Sequence, residues 1–100
     1  MTKNEKMKRI GAGLPAGDTK TYMCIHIFEK TRPILYVTRP EGDWCVLCGD
    51  DHPQDGSYFR VVGMGHAIEY DPTILEVLDL GKNEEAERTR VGDRWRRSSF

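Results

Sequence analysis

The chain has 100 residues, of which 38% are hydrophobic and 31% are charged, and its formal net charge is −1. This length allows one small domain with one core. The near-neutral net charge excludes a protein that binds polyanions through its overall electrostatic field alone. Three cysteines are an odd count, which argues against the disulfide framework of a small secreted protein. The sequence also lacks a signal-peptide apolar run and any stretch near the ~18 apolar residues of a membrane span. We therefore expect a soluble, cytoplasmic protein with no membrane partner.

The N-terminal segment, residues 1–18, is polar and mildly basic and ends in a stretch rich in glycine and proline. This composition predicts a disordered basic tail. A solvated terminus is the simplest interpretation, and contact with nucleic acid is the alternative. Residues 19–100 are then expected to form a single domain.

The first half of the domain is rich in β-forming residues. Residues 21–28 are apolar on both alternating faces, which predicts a central strand. Strands are also predicted over 33–39 and 44–49, joined by a short loop that contains proline and glycine. Pairing these two strands as a hairpin places Val37 opposite Val46, and this apolar pair makes the register consistent with itself.

The second half of the domain mixes strand and helix signals. Residues 57–64 predict a fourth strand, whereas 65–70 fit either a helical turn or a continuation of that strand. The clearest helix is predicted over 71–78, because Asp71 is a good N-cap and Pro72 suits the first helical position.

The C-terminal residues 85–100 predict a polar hairpin with a two-residue turn at Gly92 and Asp93. Together the elements predict an α+β domain. Its sheet is expected to be mainly antiparallel, with about five or six strands and one or two short helices packed on it.

Two cysteines stand in a Cys-x-x-Cys-Gly spacing at Cys45 and Cys48, and Cys24 and His26 are able to complete a set of four zinc ligands. However, the two intervening residues are strand formers, and side chains three residues apart in a strand point to opposite faces. We therefore expect the cysteines mainly to pack in the core, without a bound cofactor. Zinc binding is the alternative, and thiol redox chemistry ranks third because no helix follows the pair.

The loop after the third strand is acidic and contains one histidine; its charged or titratable side chains are Asp50, Asp51, His52 and Asp55. Carboxylates near a histidine are able to bind a divalent cation, but a plain exposed loop is the simpler interpretation. Such a loop also suits a contact with a basic protein surface, where charge steers the encounter. We call these residues the acidic loop and treat them as one candidate binding surface.

Several arginines surround Trp95 near the C-terminus, and the predicted hairpin register stacks Arg90 on that indole. The same register places Arg88 opposite Arg97, and such a like-charge pair is destabilising unless an acidic group lies nearby. Arginine and tryptophan are enriched at interface hot spots. Arg90, Trp95 and Arg97 are therefore a second candidate surface, for a protein partner or alternatively for nucleic acid.

Catalysis is not expected, because the sequence points to no set of nucleophile, base and orienting group. The Gly-Met-Gly segment at 63–65 lacks the extended glycine pattern and the lysine of a phosphate-binding loop. We therefore expect a non-catalytic domain that binds a partner protein. A zinc-binding domain and a nucleic-acid contact are the two alternatives.

The order of several short motifs resembles a small bacterial domain family of unknown function. Its members contain a Gly-Trp…Gly-acid segment, an apolar strand, an Asp-Pro-x-Ile/Leu helix and a Glu-Arg element, over roughly residues 33–95 here. The matching residues are Trp44, Gly49, Asp71, Pro72, Glu87 and Arg88. This chain departs from the pattern at Cys45 and in the segment before the Glu-Arg element. Relatives have been grouped computationally with toxin-immunity proteins, so the resemblance implies a non-catalytic, immunity-like protein.

Overall fold

The computed structural model describes residues 15–50 and 56–100. The strands are β1 (Lys20–Cys24), β2 (Tyr36–Thr38), β3 (Trp44–Leu47), β4 (Phe59–Gly63), β5 (Glu84–Glu87) and β6 (Arg96–Ser99). The α-helices are α1 (Ile25–Phe28) and α2 (Met64–Tyr70), and 3₁₀ helices cover Pro40–Gly42, Gly56–Tyr58 and Pro72–Val77. Of the predicted tail, residues 1–14 lie outside the described ranges. Within those ranges, no helix is both long enough and apolar enough to cross a membrane.

The six strands form one sheet in the order β4-β1-β3-β2-β5-β6. Four neighbouring pairs are antiparallel, and β1 with β3 is the parallel pair. The predicted α+β class with a mainly antiparallel sheet is therefore confirmed. The predicted register of the β2–β3 hairpin is also confirmed, since Val37 pairs with Val46.

One face of the sheet forms the core. In β3, Trp44 and Val46 are buried while Cys45 and Leu47 are only partly covered, which is the alternation expected of a strand. The helices cover the buried face, and α2 and the last 3₁₀ helix contribute Met64, Ala67, Ile74 and Val77 to the core. The sheet therefore has one covered face and one more open face.

The first strand is shorter than expected. The sequence predicts an extended segment over 21–28, but β1 ends at Cys24 and residues Ile25–Phe28 form the single turn of α1. The backbone N–H of Glu29 donates to the carbonyl of Ile25 at 2.9 Å and closes that turn. The prediction of a strand over 25–28 is therefore wrong. The reason is that the periodicity of apolar residues cannot separate a short helix from a buried strand. This change of direction moves His26 out of the sheet.

The segment after β4 is helical throughout. Residues 64–70 form α2, which resolves the ambiguity of the sequence in favour of a helix. The backbone N–H of Gly65 donates to the carbonyl of Gly17 at 2.8 Å, and a Cβ at Gly63 would lie only 2.5 Å from that oxygen. The glycine at position 63 therefore permits the chain before β1 to pack against the start of α2.

The predicted helix over 71–78 forms, but as a 3₁₀ helix over Pro72–Val77. Asp71 caps it as expected, since its Oδ1 accepts hydrogen bonds from the backbone N–H of Thr73 at 3.0 Å and from the Thr73 hydroxyl at 2.6 Å. Short helices depend on packing rather than on propensity, and the tighter geometry still buries Ile74 and Val77.

The C-terminal hairpin forms with a different register from the predicted one. β5 pairs with β6 through Glu87 opposite Arg96 and Ala86 opposite Arg97, so residues 88–95 form a long connection between the strands. The expected Arg88–Arg97 pair and the two-residue turn are therefore wrong. The physical reason is that the Arg88 side chain enters the core, so the pairing of β5 with β6 ends at Glu87 and Arg96 and residues 88–95 connect the strands.

The guanidinium of Arg88 lies in the interior, with its side chain 0% exposed. Nη2 lies 2.6 Å from Oδ2 of Asp71, and Nη1 donates to the Thr73 hydroxyl at 2.8 Å. Nε and Nη2 both donate to the backbone carbonyl of Ile34, at 3.2 and 2.9 Å. The guanidinium also stacks on the Trp95 ring, 4.1 Å from its centroid. This buried charge is therefore paired and well hydrogen-bonded, as a stable interior ion requires.

We expect Arg88→Ala to lower the free energy of unfolding by about 3–5 kcal/mol, because it leaves the Asp71 carboxylate buried without its cation. Arg90→Ala is the matched control, since Arg90 is exposed, and should change stability by less than about 0.5 kcal/mol. Urea denaturation followed by circular dichroism measures both. A cost below about 1 kcal/mol for Arg88→Ala would show that the buried pair does not hold the fold together.

Candidate metal centre

Three side chains from the sequence-predicted zinc set come together at one end of the sheet. One ligand atom from each of Cys24, His26 and Cys48 lies within 4.8 Å of the other two. Sγ of Cys48 and Nδ1 of His26 are 3.5 Å apart. Cys24 and Cys48 are buried, with 0% and 3% of their surface exposed, and His26 is half-buried. Two thiols and an imidazole are a donor set that Zn²⁺ binds well.

The parallel pairing of β1 and β3 creates this cluster. Met23 lies opposite Val46, so the two strands run side by side and their carboxyl ends meet at the same edge of the sheet. Cys24 is the last residue of β1, and Cys48 follows directly after β3. Because the chain turns into α1 after Cys24, His26 folds back beside both thiols. Cys48 thus meets Cys24 and His26, from which it is distant in the chain.

Cys45 does not join the cluster. It lies in the middle of β3, and its side chain lines the open face of the sheet together with Tyr22 and Val61. Cys45 and Cys48 thus lie on opposite faces, as expected for residues three apart in extended chain. That argument removes Cys45 from the four-residue set, but it does not exclude a metal, because Cys24 supplies the second thiol from the neighbouring strand.

The spacing of the cluster fits a tetrahedral zinc ion. Bond lengths of about 2.3 Å to sulfur and about 2.0–2.1 Å to nitrogen imply a sulfur–nitrogen separation of about 3.5 Å and a sulfur–sulfur separation of about 3.8 Å. The observed distance from Cys48 Sγ to His26 Nδ1 is 3.5 Å. The same distance also suits an S–H···N hydrogen bond, so metal content is the measurement that separates the two arrangements.

Burial is the main influence on the pKa values of the Cys45 and Cys48 thiols. It raises the pKa of the Cys48 thiol, and the neighbouring Cys24 acts in the same direction, while a hydrogen bond from the backbone of Asp50 opposes both. Burial, followed by the nearby charge of Asp43, raises the pKa of Cys45 to about 11. A bound dication reverses this preference at its ligands, because a coordinating thiol loses its proton.

The acidic loop is described only at its first residue. Asp51, His52 and Asp55 lie outside the described ranges, so their predicted role as a binding surface stays a prediction. Asp50 follows the turn at Gly49, whose φ is +88°, and its carboxylate forms an ion pair with the guanidinium of Arg32. The part of the loop that the structure describes therefore already has an internal partner for its charge.

The second surface predicted from the sequence is altered by the fold. Trp95 is buried and stacks on Arg88, so the expected pairing with Arg90 is wrong. Arg90 is exposed, with Nε 3.4 Å from the carboxylate of Asp93. Arg97 Nη1 lies 3.0 Å from the carboxylate of Asp79. The indole is thus part of the core, and Arg90 and Arg97 are each paired with an acid.

A separate apolar groove crosses the open face of the sheet. It has a volume of about 390 Å³ and is lined by Tyr22, Cys45, Gly56, Phe59 and Val61. Val61 is 61% exposed, although it lies in the middle of β4. The sequence analysis did not predict this surface. The signal in the sequence was an apolar residue at an outward-facing position in each of two paired strands.

Comparison of the chain with protein-family models, with curated proteins and with solved structures finds no match. The residues behind the resemblance noted above serve the fold: Asp71 pairs with Arg88, and Trp44 is buried beneath Arg39, whose guanidinium lies 4.7 Å from its ring centroid. The immunity-like assignment stays a prediction, and the functional argument depends on geometry.

The rate at which Cys45 is alkylated tests whether the protein covers its thiol. With a pKa of about 11, its thiolate fraction and its rate of alkylation by iodoacetamide should rise about 90-fold from pH 8 to pH 10. An unshifted thiol with a pKa of about 8.5 would show a rise of about fourfold. Peptide mass spectrometry assigns the rate to Cys45, and circular dichroism verifies that the chain stays folded. A rise of only a few fold would place Cys45 in water.

Proposed function

We propose that this protein is a small zinc-binding domain in which Cys24, His26 and Cys48 hold the ion. The observation that supports this proposal is the convergence of their three ligand atoms within 4.8 Å. Two soft sulfurs and an imidazole favour Zn²⁺ over Mg²⁺ or Ca²⁺, which prefer oxygen ligands. These residues supply three of the four ligands of a tetrahedral site, and water or another donor completes it.

The proposed role of the ion is structural. It would link the end of β1 to the end of β3 and fix α1 against both. Two thiolates and one Zn²⁺ sum to zero charge, which lowers the cost of burying the ions together. Because the free energy of binding adds to that of folding, the ion would stabilise this end of the small domain.

Metal content decides the proposal. Protein purified without added metal should contain about one zinc ion per chain, as measured by elemental mass spectrometry. Cys24→Ser, His26→Ala and Cys48→Ser should each bring the content close to zero. Cys45→Ser is the matched control, since it makes the same change in β3 outside the cluster and should retain the zinc. A wild-type chain with well below one zinc would overturn the proposed site.

Thermal melts separate loss of metal from loss of fold. A ligand that binds only the folded chain raises its melting temperature, so a chelator should lower the melting temperature of the wild type and of Cys45→Ser. The chelator should leave Cys48→Ser unchanged, because that variant has no ion to lose. If the wild type had the same melting temperature with and without chelator, the proposed structural role of the ion would be wrong.

Binding of a partner protein, without catalysis, is the second candidate function. The observation that favours it is the apolar groove around Val61, since contiguous exposed apolar surface marks interaction sites. The resemblance to immunity-like domains names a bacterial toxin as the class of partner. We further propose a cytoplasmic location, because the three cysteines are free thiols and a reducing compartment preserves them.

A charge in the groove tests this second function. Val61→Asp should abolish co-purification of a stoichiometric partner, because it places a carboxylate against the apolar contact. Leu75→Asp is the matched control: Leu75 is also an exposed apolar residue but lies on the last 3₁₀ helix. A partner that survives Val61→Asp, or that both variants lose, would rule out the groove as its site, as would the absence of any stoichiometric partner.

A further inference from the structure

We infer that the cluster is also a peroxide-sensitive switch, in which oxidation joins Cys24 to Cys48 as a disulfide and releases the metal ion. This inference rests on the proposed function, because it assigns a regulation to the same site. It concerns a pair of thiols that the Cys-x-x-Cys spacing does not reveal, since the two residues come from different strands.

The backbone places the two thiols at a distance that a disulfide is able to span. The register sets Met23 opposite Val46, so Cys48 lies one residue beyond the position directly opposite Cys24. With strands about 4.8 Å apart and a rise of about 3.3 Å per residue, the two Cα atoms are about 5.8 Å apart, within the range of about 4.4–6.8 Å for disulfides. The sulfurs already lie within 4.8 Å of each other.

The chain is also able to adjust locally at both residues. Cys24 is the N-cap of α1, with φ −66° and ψ 155°, and Cys48 precedes the turn at Gly49 with φ +88°. Neither thiol sits in the middle of a strand, where closing the bond would disturb sheet pairing on both sides. Cys45 is excluded as a partner because its side chain lies on the opposite face of the sheet.

The order of attack follows from exposure. Both thiols are buried, but Cys24 is 0% exposed, whereas Cys48 is 3% exposed and is followed by the exposed Gly49 and Asp50. The Cys48 thiolate therefore attacks hydrogen peroxide first, forming a sulfenic acid and releasing one hydroxide. The Cys24 thiolate then attacks the sulfur of Cys48, forms the S–S bond and expels the second hydroxide.

The electron balance of this reaction is complete. Two thiolates lose two electrons to become one disulfide, and hydrogen peroxide gains two electrons to become two hydroxides. His26 is then the one remaining ligand among the three, and a single imidazole does not retain Zn²⁺ against dilution. Reduction by a dithiol restores both thiols, so a reductant and zinc together should reverse the switch.

The test uses the full chain loaded with zinc and titrated with hydrogen peroxide. Released zinc is read with a chromophoric chelator, and disulfides are mapped by mass spectrometry without reduction. We expect about one zinc released per disulfide formed, with the bond between Cys24 and Cys48, and full recovery after dithiothreitol and zinc. Cys45→Ser is the matched control and should behave as the wild type does.

The intermediate gives a second readout. In Cys24→Ser the sulfenic acid at Cys48 has no resolving thiol, so dimedone should label Cys48 much more strongly in this variant than in the wild type, where the disulfide forms instead. If Cys24→Ser does not fold, brief exposure of the wild type to peroxide with dimedone should label Cys48 in preference to Cys24.

The outcomes separate the two proposals. A wild-type chain that binds zinc but keeps it in peroxide overturns the switch and leaves the metal site intact, and so does one that releases zinc without a Cys24–Cys48 disulfide. A chain that contains no zinc and takes none up overturns the proposed function, and the switch with it.

Discussion

The buried guanidinium of Arg88 is the interaction on which the architecture depends. It joins the carbonyl of Ile34 at the approach to β2, the carboxylate of Asp71 at the start of the last 3₁₀ helix, and the ring of Trp95 before β6. A charge in the interior is stable only when its partners are all in place. Arg88 therefore requires the helix, the sheet and the C-terminal connection to dock together, and the pairing of β5 with β6 ends at Glu87 and Arg96, where the Arg88 side chain turns into the core.

The candidate metal centre depends on a second constraint, the parallel pairing of β1 with β3. In an antiparallel pair the carboxyl ends of two strands lie at opposite edges, whereas here Cys24 and Cys48 end at the same edge. The turn of α1 then adds His26 to the two thiols. The position of the site follows from where the two strands end, and a separate apolar groove lies on the open face of the same sheet.

Local patterns predicted part of both the fold and the site. The strand register of Val37 with Val46 followed from apolar pairing across a short loop, and the cap at Asp71 followed from its side-chain chemistry. The residues of the metal alternative included all three that meet, together with Cys45, which does not. The error at Cys45 and the errors in the C-terminal hairpin have one cause: spacing along one strand carries no information about the neighbouring strand.

The sequence by itself determined the α+β class, because alternating apolar residues, turn residues and a capping aspartate act over a few neighbouring positions. It also determined which side chains are able to bind a metal. Only the tertiary structure decided that Cys24, His26 and Cys48 meet and that Arg88 rather than Arg90 covers Trp95. The free energy of these contacts depends on burial and on strand order, which no local pattern contains.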